Sequence, residues 1–190
     1  KHGYSSYPIL DTRDCREAFM NILPPLKSKD LPKGYQLSDP SWLNHEVSEI
    51  FGHLLTNASK KTPACYTLWY DCRRDPHISQ EVEKSLNEIK KQGLYDNSII
   101  IMTSDHGYPD PRTSLNEEFF RDKGHDMVLT DDNINTPLYI KYPGSPKGEK
   151  INDCVGHIDL IPTIFDILKI DYNMHISKYQ GKSLIPLIQN

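Results

Sequence analysis

Three absences limit what this chain of 190 residues can be. It has no run of about 18 apolar residues, so no membrane-spanning helix is predicted. Basic residues number 22 against 26 acidic ones, and a net charge of −4 provides no basic excess for nucleic-acid binding. The four cysteines have none of the spacings of zinc fingers or zinc ribbons. The sequence therefore predicts a protein without a membrane segment, a nucleic-acid partner or a cysteine-bound zinc.

The composition is that of a folded domain. Hydrophobic residues make up 37% of the chain and charged residues 25%, which is enough for a core and too apolar for a disordered chain. Residues 1–62 are interrupted by prolines and predict an irregular lead-in with helices near Asp14–Leu23 and across Trp42–Leu55. A different pattern begins at residue 63.

Residues 63–190 alternate between short apolar runs and helical periodicity. Helices are predicted from Ile78 and from Asp159. The predicted strands cover residues 64–70, 98–104 and 137–142. The run at 98–104 is almost continuously apolar, which is typical of a strand covered on both faces in a parallel sheet. We therefore expect an α/β fold with a mostly parallel sheet flanked by helices.

The segment Thr103–Gly107, Thr-Ser-Asp-His-Gly, lies at the carboxyl end of the apolar strand. Ligands of open α/β sheets bind beyond the carboxyl ends of strands. Asp105 and His106 offer a carboxylate and an imidazole, which suit a divalent metal, and Gly107 permits close backbone approach. The alternative is an Asp that caps a turn beside a surface His. The residues by themselves leave both interpretations open.

Four further residues are candidates. Lys123 and His125 could hold an anionic substrate or protonate a leaving group, or belong to an ordinary loop. His77 precedes a predicted helix, where it could reach an active site or simply pack at the helix start. His157, close to Asp159, is a possible ligand, or it satisfies local backbone where a helix begins.

Taken together, these residues resemble the sulfatase branch of the alkaline phosphatase-like superfamily. Four segments carry the resemblance in the same order as in the family: Gly93–Gly107 with Ser-Asp-His-Gly, Asn135–Gly144, His157–Leu168 with Asp-Leu-x-Pro-Thr, and Gln180–Ile188 with Gly-x-Ser-Leu-x-Pro-Leu. The resemblance implies an alkaline phosphatase-like fold, of which this chain is the incomplete carboxyl-terminal portion.

The resemblance also implies roles for the candidate residues. Asp105 and His106 correspond to metal ligands, and Lys123 and His125 compete for the position that contacts the sulfate or phosphate group, with His125 preferred. His77 falls at a histidine that contacts substrate or donates a proton. The implied cofactor is a divalent ion, calcium in the sulfatase branch and manganese or zinc in a phosphoryl-transfer branch.

Two departures from the family pattern qualify the implied activity. The 190 residues contain neither Cys-x-Pro-x-Arg nor Ser-x-Pro-x-Arg, so a formylglycine nucleophile is expected upstream, and the family's amino-terminal Asp pair has no counterpart. Without these groups we expect the chain alone to be inactive.

For the intact protein, the resemblance implies hydrolysis of sulfate esters of small molecules or saccharides. One alternative is phosphate- or phosphonate-ester hydrolysis, or phosphoglycerol or phosphoethanolamine transfer. Another is a non-catalytic scaffold with the same fold. Such relatives are often exported, periplasmic or lysosomal, but no signal peptide is visible here and the compartment stays open.

Overall fold

The computed structural model describes residues 5–10, 44–58, 63–70, 77–108, 129–146, 148, 150–171 and 180–189. The chain divides into two compact units, residues 1–95 and 96–190. The helix predicted near Asp14–Leu23 lies outside the described residues, as do Lys123 and His125. Within the described ranges, no helix is long and apolar enough to cross a bilayer.

The first unit pairs two parallel strands with two helices. Its elements are β1 (Ser5–Leu10), α1 (Asn44–Asn57), β2 (Ala64–Trp69) and α2 (Ile78–Lys91). β1 and β2 are parallel, in a register that joins Ser5 to Ala64 and Leu10 to Trp69. The sequence predicted β2 and both helices but interpreted the region of β1 as irregular. Pro8 argued against a strand in this region, because proline has no N–H to donate. Proline is nevertheless tolerated in strands at positions where no such donor is needed.

The core of the first unit is the apolar face of α1. The fully or almost fully buried side chains share helical spacing, and they are Val47, Ile50, Phe51, Leu54 and Leu55. The Phe51 ring meets the Tyr66 ring of β2 edge to face, with centroids 5.3 Å apart. Full burial of such side chains contributes about 1.5–3 kcal/mol each, so α1 is held mainly by this packing.

A buried carboxylate joins α1 to α2 beside that core. Glu81 is only 5% exposed, and its carboxylate accepts hydrogen bonds from Ser48 Oγ at 2.7 Å and from Lys84 Nζ at 2.6 Å. One turn further along α2, Ser85 Oγ lies 2.6 Å from the Tyr70 hydroxyl. Burial raises the pKa of Tyr70 to about 12; the Ser85 hydrogen bond opposes this shift and the Glu81 charge adds to it.

The second unit contains a pair of antiparallel strands and several short helices. They are β3 (Ile100–Thr103), α3 (Asp131–Ile134), β4 (Leu138–Lys141), a 3-10 helix (His157–Asp159), α4 (Leu160–Ile167) and α5 (Ile185–Ile188). β3 pairs with β4 so that Thr103 faces Leu138 and Ile100 faces Lys141. The carboxyl end of β3 therefore meets the amino end of β4.

The α/β class is confirmed, whereas the direction of one strand pair differs from expectation. β3 and β4 have the predicted positions, but they run antiparallel instead of following the mostly parallel arrangement. An apolar run indicates that both faces of a strand are buried, but it does not indicate whether the neighbouring strand is parallel or antiparallel. That direction depends on the path of the chain between the two strands.

The carboxylate of Asp159 anchors the 3-10 helix at both of its sides. One oxygen accepts the backbone N–H of Gly156 at 2.9 Å, and the other accepts the backbone N–H of Lys182 at 2.8 Å. Gly181 lies so close to the carbonyl oxygen of Ile158 that a Cβ would collide with it. The segment around Gly181 thus packs directly on the backbone of the 3-10 helix.

Thr163 makes the next connection between α4 and the same segment. It is fully buried, and its hydroxyl donates to the Asp159 carbonyl at 2.6 Å and accepts the backbone N–H of Leu184 at 2.9 Å. Ser183 Oγ adds a hydrogen bond of 2.7 Å to the carboxylate of Asp166. Hydrogen bonds of Asp159, Thr163 and Ser183 therefore join the Asp-Leu-x-Pro-Thr motif to the Gly-x-Ser-Leu-x-Pro-Leu motif. We call this assembly the clamp.

Candidate functional site

A carboxylate and an imidazole stand side by side just beyond β3. Asp105 Oδ2 lies 3.5 Å from His106 Nε2, and the other carboxylate oxygen accepts the backbone N–H of His106 at 2.9 Å. The two side chains are 48% and 33% exposed. Asp105 thus hydrogen-bonds to the adjacent backbone and also faces His106, and both interpretations made from the sequence stay open.

The His106 ring turns one nitrogen towards the backbone and the other towards Asp105. Its Nδ1 contacts the Gly107 carbonyl oxygen, and because a carbonyl only accepts, Nδ1 carries the proton. Nε2 is the nitrogen that faces the Asp105 carboxylate, at 3.5 Å from Oδ2. A cation between these two atoms would interact with both. Ligand atoms about 2.1 Å from one metal lie roughly 3 Å apart, so the pair fits a divalent ion.

Gly107 is required by the packing behind this pair. Its backbone N–H donates to the Asn133 carbonyl at 2.7 Å, and a Cβ at this position would collide with the carbonyl oxygen of Asp132. The close approach that the glycine was expected to permit is therefore an approach to the backbone of α3.

Two ligands do not complete a metal site. Among the residues that the structure describes, no third His, Cys, Asp or Glu joins Asp105 and His106 as a possible ligand group. Mg²⁺, Ca²⁺ and transition metals in proteins usually have four or more ligands. Further ligands would have to come from other parts of the intact protein or from solvent and substrate.

His77 begins α2 in the first unit. Its carbonyl accepts the backbone N–H of Gln80 at 2.8 Å, and its exposed ring lies 3.5 Å from the Gln80 amide nitrogen. This local arrangement accounts for its place at the helix start. Contact of His77 with substrate stays a prediction, as do the roles of Lys123 and His125.

His157 is brought to the end of β3 by the clamp. Its Nε2 lies 3.1 Å from Thr103 Oγ1 and 3.5 Å from Thr136 Oγ1. The sequence identified His157 as a candidate but not its two threonine partners. Each threonine flanks a strand, Thr103 at the end of β3 and Thr136 before β4. Their proximity follows from the antiparallel register, which the residue pattern does not contain.

Comparison with known proteins places these features in a family. Residues 77–170 match the family named Sulfatase. The chain is 36% identical over 99 residues to lipoteichoic acid synthase 2 of Bacillus subtilis (strain 168). That alignment covers 50% of this chain and 15% of the synthase, so the chain spans only a small part of that relative.

Two solved structures show the same fold. The lipoteichoic acid synthase LtaP from Listeria monocytogenes superposes with a TM-score of 0.65 at 16% identity, over 90% of this chain and 51% of that one. BT4656, solved in complex with its substrate D-glucosamine-2-N,6-O-disulfate, superposes with a TM-score of 0.61 at 13% identity, over 99% and 62% of the chains. Residues 77–170 therefore confirm the resemblance to the sulfatase branch of the alkaline phosphatase-like superfamily, and the two solved structures share the fold of this chain.

Proposed function

We propose that the intact protein is a divalent-metal-dependent enzyme that transfers or hydrolyses a phosphate ester. The observation that carries this proposal is the mixed carboxylate and imidazole pair of Asp105 and His106. Calcium prefers oxygen ligands, whereas imidazole suits zinc and other transition metals. A nitrogen donor beside the carboxylate therefore favours manganese or zinc over the calcium expected for a sulfatase.

The relatives support the same branch. The chain shares 36% identity over 99 residues with a protein named lipoteichoic acid synthase 2. Phosphoglycerol transfer was one of the activities that the Ser-Asp-His-Gly resemblance left open. The identity to this synthase favours phosphoryl transfer over the sulfate hydrolysis that the resemblance first implied.

Each candidate residue has a distinct task in this proposal. Asp105 and His106 hold the cation, which when bound would neutralise charge on the ester oxygens. His125, or Lys123, holds the anionic group, and His77 supplies a proton to the leaving group. The nucleophile is a hydroxyl in the phosphoryl-transfer branch or formylglycine in a sulfatase.

Hydrolysis of a saccharide sulfate ester is the second candidate. It is favoured by the match to the family named Sulfatase and by the shared fold with BT4656, which was solved with a disulfated glucosamine. The two candidates use the same cation position and differ in the nucleophile and in the group that is attacked. Direct comparison of two model substrates can therefore separate them.

The test uses the intact protein, stripped with a chelator and reloaded with Mn²⁺, Zn²⁺ or Ca²⁺. We expect turnover of bis-p-nitrophenyl phosphate with Mn²⁺ or Zn²⁺ and little turnover of p-nitrophenyl sulfate. D105N should lower metal affinity and activity by more than the roughly 100-fold typical of losing an outer partner of a ligand. D153N, which changes an exposed carboxylate of the same unit, is the matched control.

Three results would each reject part of the proposal. Turnover of the sulfate alone would assign the protein to sulfate hydrolysis. Unchanged metal affinity in D105N would remove Asp105 from the site. A folded wild-type protein that binds none of the three ions would leave the scaffold interpretation.

A further inference from the structure

We propose that His157 is a positioning residue for Asp105. The proposal rests on the function proposed above, in that Asp105 is taken to hold the cation. His157 touches Thr103, two residues before Asp105, and belongs to a separate segment 54 positions along the chain. Nothing in the family resemblance assigns it this role.

The hydrogen bonds define a relay. The Thr103 hydroxyl donates to the Ser104 carbonyl at 3.3 Å. Thr103 Oγ1 also lies 3.1 Å from His157 Nε2, the shorter of its two contacts. The relay runs from imidazole to hydroxyl to the carbonyl of the peptide that leads into Asp105.

The contacts of the two histidines differ. Nε2 of His157 contacts the Thr103 hydroxyl at the strand end, whereas Nε2 of His106 faces the Asp105 carboxylate.

The relay starts from a firmly held element. The 3-10 helix that begins at His157 is tied by Asp159 to the backbone of Gly156 on one side and of Lys182 on the other. The missing side chain of Gly181 lets the two segments pack in direct contact. Ligands keep their geometry when their supporting residues are themselves fixed, so a rigid His157 is suited to orient Asp105.

Thr136 extends the support to the neighbouring strand. Its hydroxyl lies 3.5 Å from the same Nε2, at the long limit for a hydrogen bond. Because Thr136 leads into β4, His157 stands where the end of β3 and the start of β4 meet. We assign the principal interaction to Thr103, which is closer.

The experiment compares removal with replacement in the intact protein. H157A removes the imidazole, and T103V removes the relay hydroxyl. H157Q retains an amide N–H at a reach similar to Nε2, and T103S retains the hydroxyl. The control is I158A, which truncates the neighbouring side chain, itself 62% exposed. Readouts are the Mn²⁺ dissociation constant by calorimetry and the amide resonance of Asp105 by NMR without metal.

We expect H157A and T103V to weaken Mn²⁺ binding about 10–100-fold, as for other residues that support a ligand. The double variant should be little weaker than either single one, because both changes break the same relay. H157Q and T103S should restore binding, and I158A should leave it unchanged. The Asp105 amide resonance should move in H157A and T103V and return in the replacements.

Failure of this proposal is distinct from failure of the proposed function. An Asp105 resonance that stays in place in both H157A and T103V would overturn the positioning role whether or not metal binds. Unchanged Mn²⁺ affinity in folded H157A would do the same. Absence of Mn²⁺ binding in the wild type is seen before any substitution and concerns the proposed function alone.

Discussion

At the scale of the residue, burial changes the chemistry of Tyr70. Its hydroxyl is partly enclosed between β2 and α2 and contacts Ser85, close to the Glu81 carboxylate. Desolvation disfavours the tyrosinate and raises the pKa of Tyr70 to about 12. A tyrosine in the unfolded chain titrates near its ordinary value, about 10. The two states therefore bind different numbers of protons above that pH.

The sign of the resulting effect is a loss of stability at alkaline pH. Between about pH 10 and 12 the unfolded state releases the Tyr70 proton and the folded state keeps it, so the free energy of unfolding falls as pH rises. Y70F lacks this hydroxyl. The free energy of unfolding of wild type minus that of Y70F should therefore fall by roughly 1 to 3 kcal/mol between about pH 10 and 12. Urea unfolding at pH 10, 11 and 12 measures the difference.

Y95F is the control for this prediction, since it removes another tyrosine hydroxyl from the same unit. A change with pH that Y70F and Y95F share would be a general effect of alkaline pH and not of Tyr70. Parallel slopes for wild type and Y70F would show that Tyr70 does not titrate differently in the two states.

At the scale of the element, short helices are held by side-chain contacts with the backbone rather than by length. α4 has eight residues and α5 has four, whereas isolated helices shorter than about 12 residues are marginal in water. The Thr163 hydroxyl satisfies the Leu184 N–H just before α5, and Asp159 satisfies the backbone on either side of the 3-10 helix. These contacts make the 3-10 helix, α4 and α5 one assembly that also fixes His157.

Substitution of Thr163 tests that assembly. T163V preserves the shape but leaves the buried Leu184 N–H without its acceptor, which costs about 1–3 kcal/mol. T163S keeps the hydroxyl and loses only a methyl group, for roughly 1 kcal/mol. We expect T163V to be the less stable variant in urea unfolding, with faster hydrogen exchange at the Leu184 amide. Equal stability of the two variants would argue against the clamp.

At the scale of the whole molecule, metal binding and folding are linked. A cation that binds Asp105 and His106 in the folded state but not in the unfolded chain stabilises the protein by mass action. At a metal concentration of about 100 times the dissociation constant, the gain is about 2.7 kcal/mol. We expect this gain in the unit of residues 96–190, which contains both proposed ligands.

The corresponding prediction concerns thermal unfolding of the intact protein. Mn²⁺ should raise the midpoint in a concentration-dependent way, EDTA should reverse the rise, and H106A should abolish it. H53A, which removes a histidine of α1 in the other unit, should respond to Mn²⁺ like wild type. A midpoint that rises equally in H106A would locate the metal elsewhere.

Much of this protein could be predicted from local pattern. The spacing of Val47, Ile50 and Leu54 was sufficient for α1, because a helix that buries one face must repeat its apolar residues with that period. The apolar runs identified β2, β3 and β4, and Ser-Asp-His-Gly located Asp105 and His106 at a strand end. These features depend on neighbours within a few positions of the chain.

What the tertiary structure alone decided depends on residues that are distant in sequence. The antiparallel direction of β4, the pairing of β1 with β2 and the meeting of His157 with Thr103 arise from the path of the chain between elements. The two late motifs were visible as separate patterns, but only folding joined them through Thr163 and Asp159. Local sequence determines which residues can form a strand, a helix or a ligand pair, and long-range packing determines which of them meet.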